Sequence, residues 1–120
     1  MSTLLFVYGT LKRGCSNHAQ LADQRFVGEA RTAPGFQLYD LGGYPAIVPD
    51  PEDRAGVTGE IWSVDDDALH RLDLFEGVHE GLYRRERIAL QPPFADLAVE
   101  AYVSPLSIAG RRKVGATWIE

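Results

Sequence analysis

A chain of 120 residues, 45% hydrophobic, 24% charged and carrying a net charge of −5, is long enough for one domain that buries roughly two-thirds of its unfolded surface without disulfide staples. The acidic balance argues against a nucleic-acid surface, which leans on a basic face. The single cysteine, Cys15, makes no internal disulfide and points to a reducing, cytoplasmic compartment. No run of ~20 apolar residues, the length a membrane span needs, interrupts the chain.

The first element is a strand over Leu4 to Tyr8, followed by a Gly-rich turn that becomes basic, "YGTLKRG" at 8 to 14. Gly9 and Gly14 are spaced as in a phosphate-binding loop, but Cys15 and Ser16 stand where that motif needs Lys and Ser or Thr. A nucleotide loop is therefore disfavoured. Successive N–H groups at Gly9, Thr10 and Leu11 can still converge on an anion, carboxylate or phosphate, and Gly9 lets a ligand approach the main chain. An ordinary hairpin bend is the competing reading.

A short helix from Ser16 or Asn17 to Leu21 follows, then strands over Arg25 to Ala33 and Phe36 to Leu41, bounded by Pro34-Gly35 and Gly42-Gly43. Val57 to Val64 alternates with apolar residues on both faces, as expected of a strand buried on both sides. Two further strands are expected over Arg84 to Leu90 and Ala98 to Ser104, separated by Pro92-Pro93. The basic cluster Arg111, Arg112, Lys113 reads as a solvated face or loop rim. No linker or repeat divides the chain, so residues 1–120 form a single domain. With no regular strand–helix alternation, an α+β or closed-barrel design is favoured over a doubly wound sheet.

The strong helical signal is "SVDDDALHRLDLFEG", with Ser63 or Asp65 as cap, acids in the first turn and Gly77 as the stop. Leu69, Leu72 and Glu76 follow at steps of three and four, so Glu76 projects from the apolar stripe. Phe75 and Asp73 flank that stripe, and His70 and Arg71 fall on the polar side. A glutamate aimed inward beside Phe75 is desolvated, which raises its pKa toward the range of a general base. The alternative is a last-turn glutamate that frays out to solvent. His18, His70 and His79 lack metal-ligand spacing, and no G-x-S-x-G elbow is present.

Taken together, "VYGTLKRG" at 7–14, "YPAI" at 44–47, "GEIW" at 59–62, and "LDLFEG" followed by "YRR" within 72–85 resemble the gamma-glutamylcyclotransferase-like family, most closely its gamma-glutamylamine cyclotransferase branch. The resemblance implies an α+β fold, a small mixed β-barrel of five or six strands with one main flanking helix and short additional helices. It implies Glu76 as the catalytic residue, and Tyr8, Gly9, Thr10 and Leu11 as the loop holding the glutamyl moiety, with Tyr83 as a further binding residue. The implied reaction is intramolecular aminolysis of a small-molecule γ-glutamyl amide to 5-oxoproline, with no cofactor. A non-catalytic binding module on the same fold is the alternative. The match fades after Ser104, where the leaving-group specificity is expected to lie.

Overall fold

The computed structural model describes residues 1–105 and 108–120. Among them are eight strands, β1 (Ser2–Val7), β2 (Arg25–Arg31), β3 (Phe36–Asp40), β4 (Pro45–Pro49), β5 (Thr58–Asp65), β6 (Arg84–Ile88), β7 (Val99–Val103) and β8 (Arg112–Lys113), with one α-helix, α1 (Asp66–Phe75), and a 3-10 turn at His18–Leu21. All strands join one mixed sheet in the order β2-β5-β1-β7-β4-β3-β8, and β6 pairs with β7 off that path. The fold is thus α+β, but where a barrel of five or six strands is expected the sheet has eight and stays open. A single bridge, Thr32 to Leu90, draws the ends of β2 and β6 together, curling the sheet without closing it.

The sheet forks at β7. Along one edge β7 pairs antiparallel with β6. Along the other it pairs parallel first with β1, through Val99 and Glu100, and then with β4, through Val103. β1 and β4 therefore diverge, and diverging parallel neighbours open a crevice at their ends.

Both faces of the sheet are buried, because β1 and β5 alternate apolar residues with period two. Leu5, Val7, Trp62 and Val64 pack with Ala68 and Leu72 of α1 and with Leu21. Phe6, Ile61, Val99, Ala101 and Val103 form the second cluster, which Trp118 joins. Residues 118–120 also hold the opening loop, with Lys12 Nζ donating to the Trp118 carbonyl at 2.6 Å and Ser16 N–H to Glu120 Oε1 at 2.8 Å. No helix among the described residues is long and apolar enough to cross a membrane.

Local chemistry sets both ends of α1. Asp65 Oδ1 accepts the Ala68 N–H at 2.7 Å, a side-chain N-cap. At the other end Val78 N–H donates to Asp73 O and Gly77 N–H to Leu74 O, with Gly77 at φ 68°. This paired closure needs a left-handed residue after the cap, and it leaves Glu76 as the capping residue itself.

Candidate active site

The end of β1, the start of β4 and the end of α1 enclose a cavity of about 240 Å³. Among the described residues lining it, Glu76 alone carries a charge. Its carboxylate receives no hydrogen bond from any described residue, and burial pushes its pKa up to about 7. The expected stripe is correct: Leu72 is fully buried and Leu69 and Glu76 are half-buried on the same side, while His70 and Arg71 are exposed. Phe75 is more exposed than expected, at 43%, because it stands at the cavity mouth.

Three tyrosines surround Glu76, and each hydroxyl gives its proton elsewhere. Tyr8 donates to the Tyr102 carbonyl at 2.7 Å and accepts from Ile47 N–H at 3.3 Å, so it stitches the fork between β1, β7 and β4. Tyr83 donates to the Pro45 carbonyl at 2.6 Å. Tyr102 donates to Asp73 Oδ1 at 2.7 Å. Burial raises all three hydroxyl pKa values, and the charge of Glu76 adds to each. The carboxylate thus lies among oxygens with no donor directed at it, and nothing offsets its desolvation.

Gly9, Thr10 and Leu11 line the same cavity as Glu76, and their N–H groups donate to no acceptor among the described residues. The turn is nonetheless rigid. Lys12 N–H closes it on the Gly9 carbonyl, and Asn17 holds Thr10 through both backbone and side chain. Glu60, buried in β5, accepts from Arg13 N–H at 3.0 Å, Arg13 Nε at 3.1 Å and Trp62 Nε1 at 3.1 Å. Successive backbone donors left without an acceptor on a loop are the raw material of an anion nest.

Gly9 has a second reason to be glycine. A Cβ there would stand 2.1 Å from Pro45 Cγ, and Pro45 cannot retreat while its carbonyl is held by Tyr83. Gly9→Ala is therefore expected to cost about 1–3 kcal/mol by overpacking and to widen the fork, read as a lower urea midpoint; an unchanged midpoint would show that the Pro45 ring gives way freely.

Each residue singled out from the sequence, Tyr8, Gly9, Thr10, Leu11, Glu76 and Tyr83, lines this one cavity. The residues that sequence reasoning missed are Tyr102, which lines it too, and the pair behind it. Arg85 grips Asp73 with two bonds, of 2.9 and 3.0 Å, and also pairs with Glu100. Burial opposes the Asp73 charge, but its bonds from Arg85 and Tyr102 hold its pKa below the ordinary value. The only signal for Asp73 and Arg85 was their place inside the "LDLFEG" and "YRR" motifs, and Tyr102 lies in neither.

Residues 108–120 line none of the cavity; β8 pairs with β3, and Trp118 belongs to the second cluster. Leu106 and Ser107 lie outside the described residues. The mouth is instead formed by Tyr44, Phe75 and Leu82, each 43–50% exposed. The basic cluster is a rim: Arg111 donates to the Leu41 carbonyl and Arg112 pairs with Asp40. His18 bonds the Leu11 carbonyl, and no group of metal-ligating side chains occurs among the described residues.

Known proteins resemble this chain in sequence and in fold. The chain is 41% identical over 102 residues to a Vibrio cholerae protein named "Putative gamma-glutamylcyclotransferase", covering 85% of this chain and 84% of that one. It is 37% identical over 94 residues to the gamma-glutamylaminecyclotransferase of Rattus norvegicus, covering 72% of this chain and 62% of the rat protein. The crystal structure of an AIG2-like protein from Mus musculus superposes with a TM-score of 0.77 at 32% identity, over 87% of this chain and 78% of that one. Residues 5–119 match the model of the family described as "Gamma-glutamyl cyclotransferase, AIG2-like", and the chain belongs to that family.

Proposed function

We propose that the cavity cyclises a γ-glutamyl amide by intramolecular aminolysis, with Glu76 as the base and then the acid. The substrate's α-amine attacks its own γ-carbonyl, forming the ring C–N bond of 5-oxoproline, and the original amide C–N bond breaks. Glu76 removes the proton that the attacking nitrogen must lose and returns it to the departing nitrogen. A pKa near 7 suits both transfers. The observation that carries this reading is an isolated carboxylate, Glu76, lining one small cavity together with three residues whose backbone N–H groups have no acceptor among the described residues.

The donors of Gly9 to Leu11 take up negative charge, that of the α-carboxylate or of the carbonyl oxygen as it becomes an oxyanion. Donors directed at a developing oxyanion are worth roughly 2.7–4 kcal/mol each. Nucleophile and carbonyl already belong to one molecule, so the remaining task is to hold it folded, which can supply several of the ~7–11 kcal/mol available from orientation.

The test is 5-oxoproline release from three probes sharing one glutamyl end: γ-glutamyl-alanine, γ-glutamyl-ε-lysine and γ-glutamyl-butylamide. Turnover of at least one is expected. Binding of these compounds with no turnover would replace the enzyme reading with that of a binding module.

A further inference from the structure

Tyr102 sits on β7 at the fork, lines the cavity and has no role in the reaction as written above. Its surroundings fix which way its hydroxyl can act. The proton goes to Asp73 Oδ1 at 2.7 Å. Asp73 is held ionised by the two bonds from Arg85, and an ionised carboxylate accepts only, so it returns no hydrogen to the tyrosine. Arg85 has its fork on Asp73 and its remaining end on Glu100. No described residue donates to the Tyr102 hydroxyl oxygen. That oxygen is therefore an acceptor locked in place, close enough to Glu76 for the carboxylate's charge to act on it.

Resting on the cyclotransferase reading of the cavity, we infer that the Tyr102 hydroxyl oxygen accepts an N–H from the substrate's α-amine and aims that nitrogen at the γ-carbonyl. A neutral α-amine that directs at Glu76 the N–H it will lose on ring closure still carries a second N–H and one lone pair. Fixing one N–H on Tyr102 turns the lone pair toward the carbon it must attack, which Glu76 alone, as a single contact, does not do. Asp73 and Arg85 are positioning residues in this scheme. They touch no substrate, but they decide that Tyr102 accepts rather than donates.

Tyr102→Phe keeps the ring and removes only the oxygen, and Asp73 retains Arg85. The experiment compares two ligands: whichever of the three γ-glutamyl probes is turned over fastest, and its glutaryl counterpart, which has the same leaving amine but hydrogen in place of the α-amine. In Tyr102→Phe, kcat/KM for the γ-glutamyl probe is expected to fall at least tenfold, while the inhibition constant of the glutaryl compound moves less than twofold. A cavity merely distorted by the substitution weakens both ligands together, and that result overturns the inference, as does an unchanged kcat/KM. If the unaltered protein makes no 5-oxoproline from any probe, the cyclotransferase reading itself fails and this role falls with it.

Discussion

Glu76→Gln is expected to abolish measurable 5-oxoproline release, a loss of about 10²–10⁴-fold for removal of a general base, and at the same time to make the protein more stable at neutral and alkaline pH. The two effects have one origin. Burial lifts the Glu76 pKa from 4.5 to about 7 in the folded protein, so between those values the native state binds more protons than the unfolded state. Stability then falls as pH rises through this window. Above about pH 7 the folded protein carries a desolvated charge with no donor to receive it, at a cost of about 2–3 kcal/mol for a half-buried group shifted this far. Glutamine carries no such charge. The urea midpoints of the two proteins are expected to coincide near pH 4, diverge through pH 7 and run parallel above it. Equal midpoints at pH 8, or a variant that still turns over substrate, would remove Glu76 from the role assigned to it. The same titration is expected to place the acid limb of the wild-type pH–rate profile near 7.

The second large effect is expected at Arg85. Arg85→Ala leaves Asp73 and Glu100 without their shared cation and frees the last turn of α1 from β6 and β7. Breaking a fully buried ion pair costs about 3–5 kcal/mol. Here the side chains of Arg85, Asp73 and Glu100 keep 26%, 16% and 33% of their exposure, and screening by solvent reduces the expected loss to about 2–3 kcal/mol. Activity falls as well, since Glu76 follows Asp73 on the loosened turn. Arg85→Lys restores the charge but not the planar fork that fits a carboxylate, and is expected to recover less than half of the loss. A midpoint unchanged by Arg85→Ala would show that the clamp carries no stability.

How much of this could be read in advance follows from how local each cause is. Both ends of α1 and the inward turn of Glu76 are written within a dozen residues, in Asp65, the leucine steps and Gly77. The six strands expected from alternation and turn residues are all present. β4 escaped because Pro45 and Pro49 bound it, and prolines argue against a strand; here both stand at its ends. The open sheet escaped because nothing local tells β7 to share one edge between two partners. Arg85 finds Asp73 12 positions away and Tyr102 finds it 29 away, distances over which no pattern of residue types announces a contact. Gly9 was legible as a close approach, but what approaches it in the fold is the Pro45 ring. The C-terminal segment was assigned by where the motifs end, whereas its buried Trp118 carries it to the other face of the sheet.

The strand that holds three partners together follows all three of them in the chain. Until Val99–Val103 leaves the ribosome, β1 and β4 have no common neighbour, β6 has no antiparallel mate, and the facing walls of the cavity belong to separate pieces of chain. A nascent chain before that point exposes unpaired strand edges of the kind that recruit other chains. The cavity therefore needs every strand from β1 to β7, and a chain cut or stalled before residue 99 is expected to expose those edges without forming the site.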